Sequence, residues 1–248
     1  MKLALIRQPA GLGDILFTYK IADKINEKYN PEKIIWPICK EYIDIKDYIK
    51  TDSNIQFVDE RENFLGKELY DSYIRQVTKT DDFIYIPLQF SCESTFGYFN
   101  FQENLYSKYS FVGLKYEGWA SHVKLNRNYE KENALYDLKA PNEPYILVNR
   151  NYGTNPQKRQ DIALESKYKI IEFDFEPGYN LFDWIKLIEN AEEVHTLQTS
   201  LAYLLDILGK QKVYIYHRTV NKADIAGTDQ DSFYYCKKIH NPEWIFES

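Results

Sequence analysis

A glycine-rich turn near the amino terminus carries a single acid. The stretch "PAGLGDILFTYKIADKI" places Gly11, Gly13 and Asp14 between a short apolar run and a segment with helical spacing. Glycine lets the backbone approach a ligand closely, and the start of a helix tolerates a carboxylate. Asp14 in this position is suited to two tasks. It can cap a helix that we expect to begin near Ile15, or it can accept a proton from a hydroxyl group beside the glycine turn.

A second group of polar residues follows an apolar run in the C-terminal half. In "HTLQTSLAYLLDILGK", Gln198, Thr199 and Ser200 separate a predicted strand from a predicted helix. Thr199 or Ser200 is a good N-cap, and the free N–H groups of the first helical turn suit a phosphate group. An ordinary capped helix of a Rossmann-like half is the alternative interpretation.

Three cations lie upstream of that helix. "VNRNYGTNPQKRQD" places Arg150, Lys158 and Arg159 on the loop that follows another predicted strand. Arginine binds a pyrophosphate through its planar fork, and lysine binds it as a point charge. The alternative is that these residues are solvated loop charges.

The surrounding pattern predicts elements that bring these groups to sheet edges. Strands are predicted at "KLALIR", "KIIWPI", "IQFVD", "DFIYIPL", "YILVNR", "KYKIIEFDF", "EEVHTL" and "QKVYIYH", with helices between several of them. This alternation is typical of a parallel sheet in an α/β fold, whose ligands bind at the carboxyl ends of the strands. The proline-bracketed turn at residues 139–145 predicts two halves, residues 1–140 and 141–248. Residues 90–133 give no clear pattern.

Composition narrows the class of protein. The chain has 248 residues and a net charge of -6, which disfavours a general nucleic-acid binder. Cys39, Cys92 and Cys236 form no CxxC pair, and the four histidines show no metal-ligand spacing, so we expect no metal and no other cofactor. The apolar runs are too short for a membrane span or a signal peptide. We therefore expect a cytoplasmic protein; peripheral membrane contact is compatible with this composition.

The two polar stretches together resemble the GT-B glycosyltransferases, in particular the heptosyltransferases of bacterial lipopolysaccharide synthesis. The family opens with a strand, a turn ending in Gly-Asp and a helix, as in "GLGDILFTYKIADKI". Its C-terminal half carries a helix, an acidic pair, a strand, Thr-Gly or Thr-Ser and a helix ending in Leu-Gly-Lys. Here that signature is "LIENAEEVHTLQTSLAYLLDILGK".

The resemblance implies two Rossmann-like domains facing each other across a cleft. The N-terminal domain would bind a glycan or other hydroxyl acceptor, and the C-terminal domain a nucleotide-sugar donor. Asp14 matches the catalytic base, Lys158 a phosphate-binding lysine, and Thr199 with Ser200 the phosphate-binding helix start. Glu176 in "EFDFEPGYN" matches an acid near the nucleotide ribose.

The chain departs from the family at two motifs. Asn149, Arg150 and Asn151 stand where the family usually has His-Pro-Gly, and Gln198 stands where it has Asp. The donor sugar therefore does not follow from the resemblance. The opening "GLGDILFTYKIA" is also similar to that of α-1,2-fucosyltransferases, which use a GDP-sugar. In that family Arg150 would match the arginine that holds the pyrophosphate, but Asn occupies the position of Asp14.

Three further interpretations remain open. "DQD" at Asp229–Asp231 is compatible with the Asp-x-Asp metal motif of another glycosyltransferase architecture, or with a solvated loop. The same fold serves epimerases. The chain could also bind a glycan or nucleotide sugar without turnover. The sequence favours a metal-independent glycosyltransferase with Asp14 as base.

Overall fold

Two mainly parallel sheets organise the fold. The computed structural model describes residues 1–52, 54–72, 74–90, 104–153, 158–218 and 237–247. The chain divides into two units, Met1–Asn126 and Arg127–Ser248, and each contains its own five-stranded sheet. The predicted boundary at 140/141 lies further along the chain than this division, so the helix at Tyr129–Lys139 belongs to the second unit.

The first unit is built on a mainly parallel sheet. Its strands are β1 (Leu3–Ile6), β2 (Lys33–Ile38), β3 (Ile49–Lys50), β4 (Ile55–Asp59), β5 (Thr78–Lys79), β6 (Phe83–Ile86) and β7 (Lys124–Leu125). Its α-helices are α1 (Leu12–Tyr29), α2 (Ile45–Tyr48), α3 (Lys67–Asp71) and α4 (Asn104–Ser110), with 3-10 turns at Lys40–Tyr42, Leu88–Phe90 and Trp119–His122. The strand order is β4-β2-β1-β6-β5, in which only β5 runs antiparallel, and β3 pairs with β7 outside this sheet.

Helix α1 follows from the apolar spacing of its sequence. It buries Ile15, Tyr19, Ala22 and Ile25 on one side. It ends at Tyr29, and its C-cap Asn30 adopts the left-handed conformation (φ 41°) just before a proline. Since α1 connects two parallel strands, β1 and β2, it completes the crossover that a parallel pair requires.

The second unit contains a fully parallel sheet. Its strands are β8 (Tyr145–Asn149), β9 (Asn151–Tyr152), β10 (Lys158–Arg159), β11 (Lys169–Glu172), β12 (Val194–Leu197), β13 (Val213–Tyr216) and β14 (Ile245–Glu247). Its α-helices are α5 (Tyr129–Lys139), α6 (Ile185–Asn190) and α7 (Ser200–Ile207), and a 3-10 turn spans Leu181–Trp184. The sheet order is β11-β8-β12-β13-β14, and β9 and β10 form a separate antiparallel pair.

Both sheets have the strand orders of doubly wound α/β folds. In such sheets a crevice forms at the carboxyl ends of the two strands where the order reverses, and ligands bind there. The reversal lies between β1 and β6 in the first sheet and between β8 and β12 in the second. The predicted α/β class is confirmed, and the Asp14 turn and the start of α7 both follow strands at these reversals.

Candidate functional site

The Asp14 turn is the start of α1. The helix begins at Leu12, and its N-cap is Gly11, whose φ of 80° suits glycine. The backbone N–H of Ile15 already donates to the Gly11 carbonyl at 2.9 Å. Asp14 is therefore the third helical residue. The helix start predicted near Ile15 is wrong, and the alternative interpretation of Asp14 as the N-cap does not hold, whereas its role as a base stays a prediction. The helix starts three residues before Ile15 because Gly11, with its positive φ, serves as the N-cap.

The Asp14 carboxylate is held by a buried lysine. The Nζ of Lys108, on α4, lies 3.3 Å from Asp14 Oδ1, and the side chain of Lys108 is 3% exposed against 34% for Asp14. Lys108 Nζ also donates to Gln8 Oε1 at 2.6 Å. Sequence reasoning missed Lys108, because it lies 100 residues from Gln8 in a segment without a clear pattern.

In the second unit, one asparagine bridges the strand reversal. The Asn149 side-chain amide, at the end of β8, donates to Thr196 Oγ1 on β12 at 2.9 Å and to Thr199 Oγ1 at 3.1 Å. Thr199 is the N-cap of α7, and its hydroxyl accepts from the Leu201 N–H. Ser200 is the first residue of that helix, as predicted. The network fixes the helix start against the sheet edge.

Two arginines meet one carboxylate at the same edge. Arg150 Nη1 pairs with Glu172 Oε1, and Arg150 Nη2 donates to the Ile162 carbonyl at 3.3 Å. Arg159 Nη2 lies 3.4 Å from the other oxygen of Glu172. Glu172, the last residue of β11, was not predicted as a site residue, although its place at a strand end could have pointed to it. Lys158 is exposed at the start of β10.

Glu176 is not part of this cluster in the described contacts. Its carboxylate pairs with Lys139 at the end of α5. The predicted ribose-binding role of Glu176 therefore stays a prediction. Gly13 is buried in the first turn of α1, next to Asp14.

A buried histidine lies on β12, next to the strand reversal of the second sheet. His195 on β12 stacks on Tyr214 with ring centroids 4.3 Å apart. Its Nδ1 lies 2.9 Å from the Tyr216 hydroxyl, and its Nε2 lies 3.2 Å from Glu193. Burial lowers the pKa of His195 below its usual value, and the Glu193 carboxylate opposes that shift. Burial also raises the pKa of Tyr216 to about 12. The pair is therefore neutral near pH 7.

Metal-ligating groups do not converge in the part of the chain that the structure describes. There, no three His, Cys, Asp or Glu side chains are grouped so that they could hold a metal ion. Asp229–Asp231, Cys92 and Cys236 lie outside the described residues. Among the helices of the described ranges, none combines the length and the apolarity needed to cross a bilayer.

Comparison with known proteins gives structural neighbours only. No protein-family model and no curated protein sequence matches the chain. The glycosyltransferase TibC of enterotoxigenic E. coli, an iron-containing dodecamer, matches 100% of the chain and 62% of its own length, at 12% identity and a TM-score of 0.54. The heptosyltransferase TibC with bound ADP-D-beta-D-heptose matches 100% of the chain and 64% of its own length, at 14% identity and a TM-score of 0.54.

A second neighbour comes from another organism. A family 9 glycosyl transferase of Veillonella parvula matches 86% of the chain and 80% of its own length, with 11% identity and a TM-score of 0.52. The protein thus has the two-sheet α/β fold of GT-B glycosyltransferases, as the sequence predicts. The protein spans 62% to 64% of the length of the TibC chains. The shared fold therefore does not show that it has their activity. The described residues offer no ligand set for the iron that TibC contains.

Proposed function

We propose that the chain is a glycosyltransferase that moves a sugar from a nucleoside-diphosphate sugar to a hydroxyl group of a glycan or glycoconjugate. The observation that carries this proposal is the polar network at the second strand reversal. There the Asn149 amide holds Thr199 at the start of α7, and Arg150 follows Asn149 in the chain. A helix start with an adjacent arginine suits a diphosphate.

The donor diphosphate binds the second unit in this proposal. The N–H groups of the first turn of α7, beginning at Ser200, donate to phosphate oxygens, and Arg150 and Lys158 supply positive charge. These groups stabilise the nucleoside diphosphate as it leaves, so the reaction proceeds without a metal ion. The fold of ADP-heptose-bound TibC supports testing an ADP-sugar first.

Asp14 on the first unit is the proposed base. The acceptor oxygen forms a bond to the anomeric carbon of the donor sugar, and the bond from that carbon to the diphosphate oxygen breaks. The diphosphate leaves with the electron pair, and the acceptor proton passes to the Asp14 carboxylate. A hydroxyl has a pKa far above neutrality, so proton removal during attack accelerates the step. The cleft between acceptor and donor sides stays a prediction.

Nucleotide binding tests the donor site. We would measure thermal stability with ADP-, UDP-, GDP- and CDP-sugars in the presence of a chelator, because a ligand of the native state raises the melting temperature. We expect one nucleotide class to raise it. Arg150→Ala should weaken nucleoside-diphosphate binding by at least about tenfold, because a hydrogen bond to a charged group contributes that much to the affinity. It should leave nucleoside binding unchanged.

Arg61→Ala is the matched control, because Arg61 pairs with Asp59 at a strand end of the other sheet. Equal losses of affinity for the diphosphate and the nucleoside in Arg150→Ala, or an absolute need for a divalent ion, would contradict the proposed donor site. Release of nucleotide from the bound donor separates an enzyme from a protein that only binds it.

A further inference from the structure

The buried ammonium group of Lys108 lies next to the carboxylate of Asp14, the proposed base. Its side chain is 3% exposed, and a lysine is rarely buried without a partner. The described partners of its ammonium group are Gln8 Oε1 at 2.6 Å and Asp14 Oδ1 at 3.3 Å. Gln8 lies in the connection between β1 and α1, and Asp14 lies in the first turn of α1.

Gln8 is itself fixed in orientation. Its Nε2 donates to the Ala10 carbonyl at 2.8 Å, so its oxygen is the atom turned toward Lys108. The lysine is anchored by its neighbour in α4, because the Tyr109 hydroxyl donates to the Phe17 carbonyl and the two rings meet edge to face at 5.0 Å. The ammonium group therefore has little freedom to leave the turn.

The two oxygens of Asp14 have different surroundings. Oδ1 faces Lys108, whereas Oδ2 lies over Gly11, where a Cβ would collide with it. The lysine holds one oxygen from the buried side, and the missing Cβ of Gly11 leaves room for the other. This arrangement selects one rotamer of a side chain that is 34% exposed.

We propose that Lys108 is a positioning residue, which holds the Asp14 carboxylate in the orientation needed to receive the acceptor proton. This inference rests on the proposed function, in which Asp14 is the base. A misplacement of about 1 Å in a reacting group can cost on the order of a hundredfold in rate. Lys108 acts through Asp14 and needs no contact with substrate.

The test compares Lys108→Met with Lys20→Met. Lys20 is a matched control, because its Nζ binds the carbonyls of Lys115 and Glu117, beyond α4, and it lies on α1 like Asp14. We expect Lys108→Met to lower kcat for transfer by about ten- to a hundredfold with the donor KM unchanged, while Lys20→Met leaves kcat unchanged.

Unfolding by urea gives a readout that does not depend on activity. Asp14→Asn and Lys108→Met should each lower the unfolding midpoint, and the double variant should lower it by less than the sum of the two shifts. Additive shifts would overturn the proposed contact. Normal kcat in Lys108→Met together with a large loss in Asp14→Asn would overturn the positioning role alone. Normal transfer by Asp14→Asn would instead overturn Asp14 as the base, and with it the role of Lys108.

Discussion

The Asn149 amide and the Thr199 hydroxyl are joined by a 3.1 Å hydrogen bond between the end of β8 and the start of α7. Because Thr199 is the N-cap of α7, this bond ties the helix start to the strand reversal. Thr199→Ala should lower the free energy of unfolding by about 0.5–2 kcal/mol, the usual value of a lost N-cap. Thr199→Ser keeps a hydroxyl and is the control. Equal stability of the two variants in urea unfolding would show that the cap contributes nothing.

The two oxygens of Glu172 face Arg150 and Arg159. Under the proposed function, Glu172 would therefore compete with the donor diphosphate for these two residues. Glu172→Gln removes the competing negative charge. We expect it to tighten ADP binding by about three- to tenfold at low salt, from roughly 1 kcal/mol of Coulomb energy. The gain should shrink above about 0.5 M salt, where such interactions are screened. Calorimetry with ADP checks this; weaker binding by the variant would mean that Glu172 orients the arginines instead.

Gly11 should tolerate no side chain, for two reasons. Its φ is 80°, and a Cβ would collide with Asp14 Oδ2. Gly113 shares the positive φ, at 70°, but has nothing within 4 Å of a Cβ. Gly113→Ala should therefore lose only about 1–2 kcal/mol of stability to backbone strain. Gly11→Ala should lose more and should also lower the transfer rate. If the two variants lose the same free energy of unfolding and Gly11→Ala keeps the wild-type transfer rate, the predicted collision with Asp14 is wrong.

The stability of the protein should fall in mild acid because of His195. Burial lowers its pKa in the folded state, despite Glu193 and Glu247, and Arg150 adds to the lowering. Tyr214 and Tyr216 also face the ring. Below about pH 6.5 the unfolded chain binds a proton that the folded chain does not, so stability decreases as pH falls from that value toward the lowered pKa.

The loss is at most about 1.4 kcal/mol per pH unit for one proton. His195→Gln should remove this part of the pH dependence. Urea unfolding of both proteins between pH 5 and 7.5 makes the comparison, and parallel curves would show that His195 contributes no acid sensitivity.

The fold could be predicted because its signals are local. The buried runs "LALI" and "YILVN" are strands, and the apolar spacing after Ile15 is helical over most of α1. The strand β14 was not predicted, since Ile245–Glu247 follows a polar stretch without periodicity. The start of α1 was misplaced, because a glycine N-cap gives a weaker signal than a serine or an aspartate.

The candidate site could be predicted only in part. Thr199 and Ser200 were placed correctly at the start of α7, because capping has a local signature, and their phosphate-binding role stays a prediction. The partners Lys108 and Glu172 were missed, since they act through contacts between distant segments. If Asp14 were a helix N-cap, Asp14→Asn would leave the stability nearly unchanged, because Asn caps as well as Asp. The structure instead makes Asp14 the counter-ion of a buried lysine, so the substitution should be destabilising.

The transfer rate of Asp14→Asn, measured well below its melting temperature, tests the central claim most directly. Asn keeps the shape of the side chain but removes the basic carboxylate, and general-base catalysis typically contributes about 10²–10⁴-fold. The Asp14→Asn, Lys108→Met double variant removes the buried ammonium group together with its counter-ion. It therefore leaves no unpaired buried charge and separates the loss of the base from a loss of stability. We expect both variants to bind the nucleotide-sugar donor normally and to lose at least about a hundredfold in transfer. Transfer at close to the wild-type rate by either variant would contradict the assignment of Asp14 as the base.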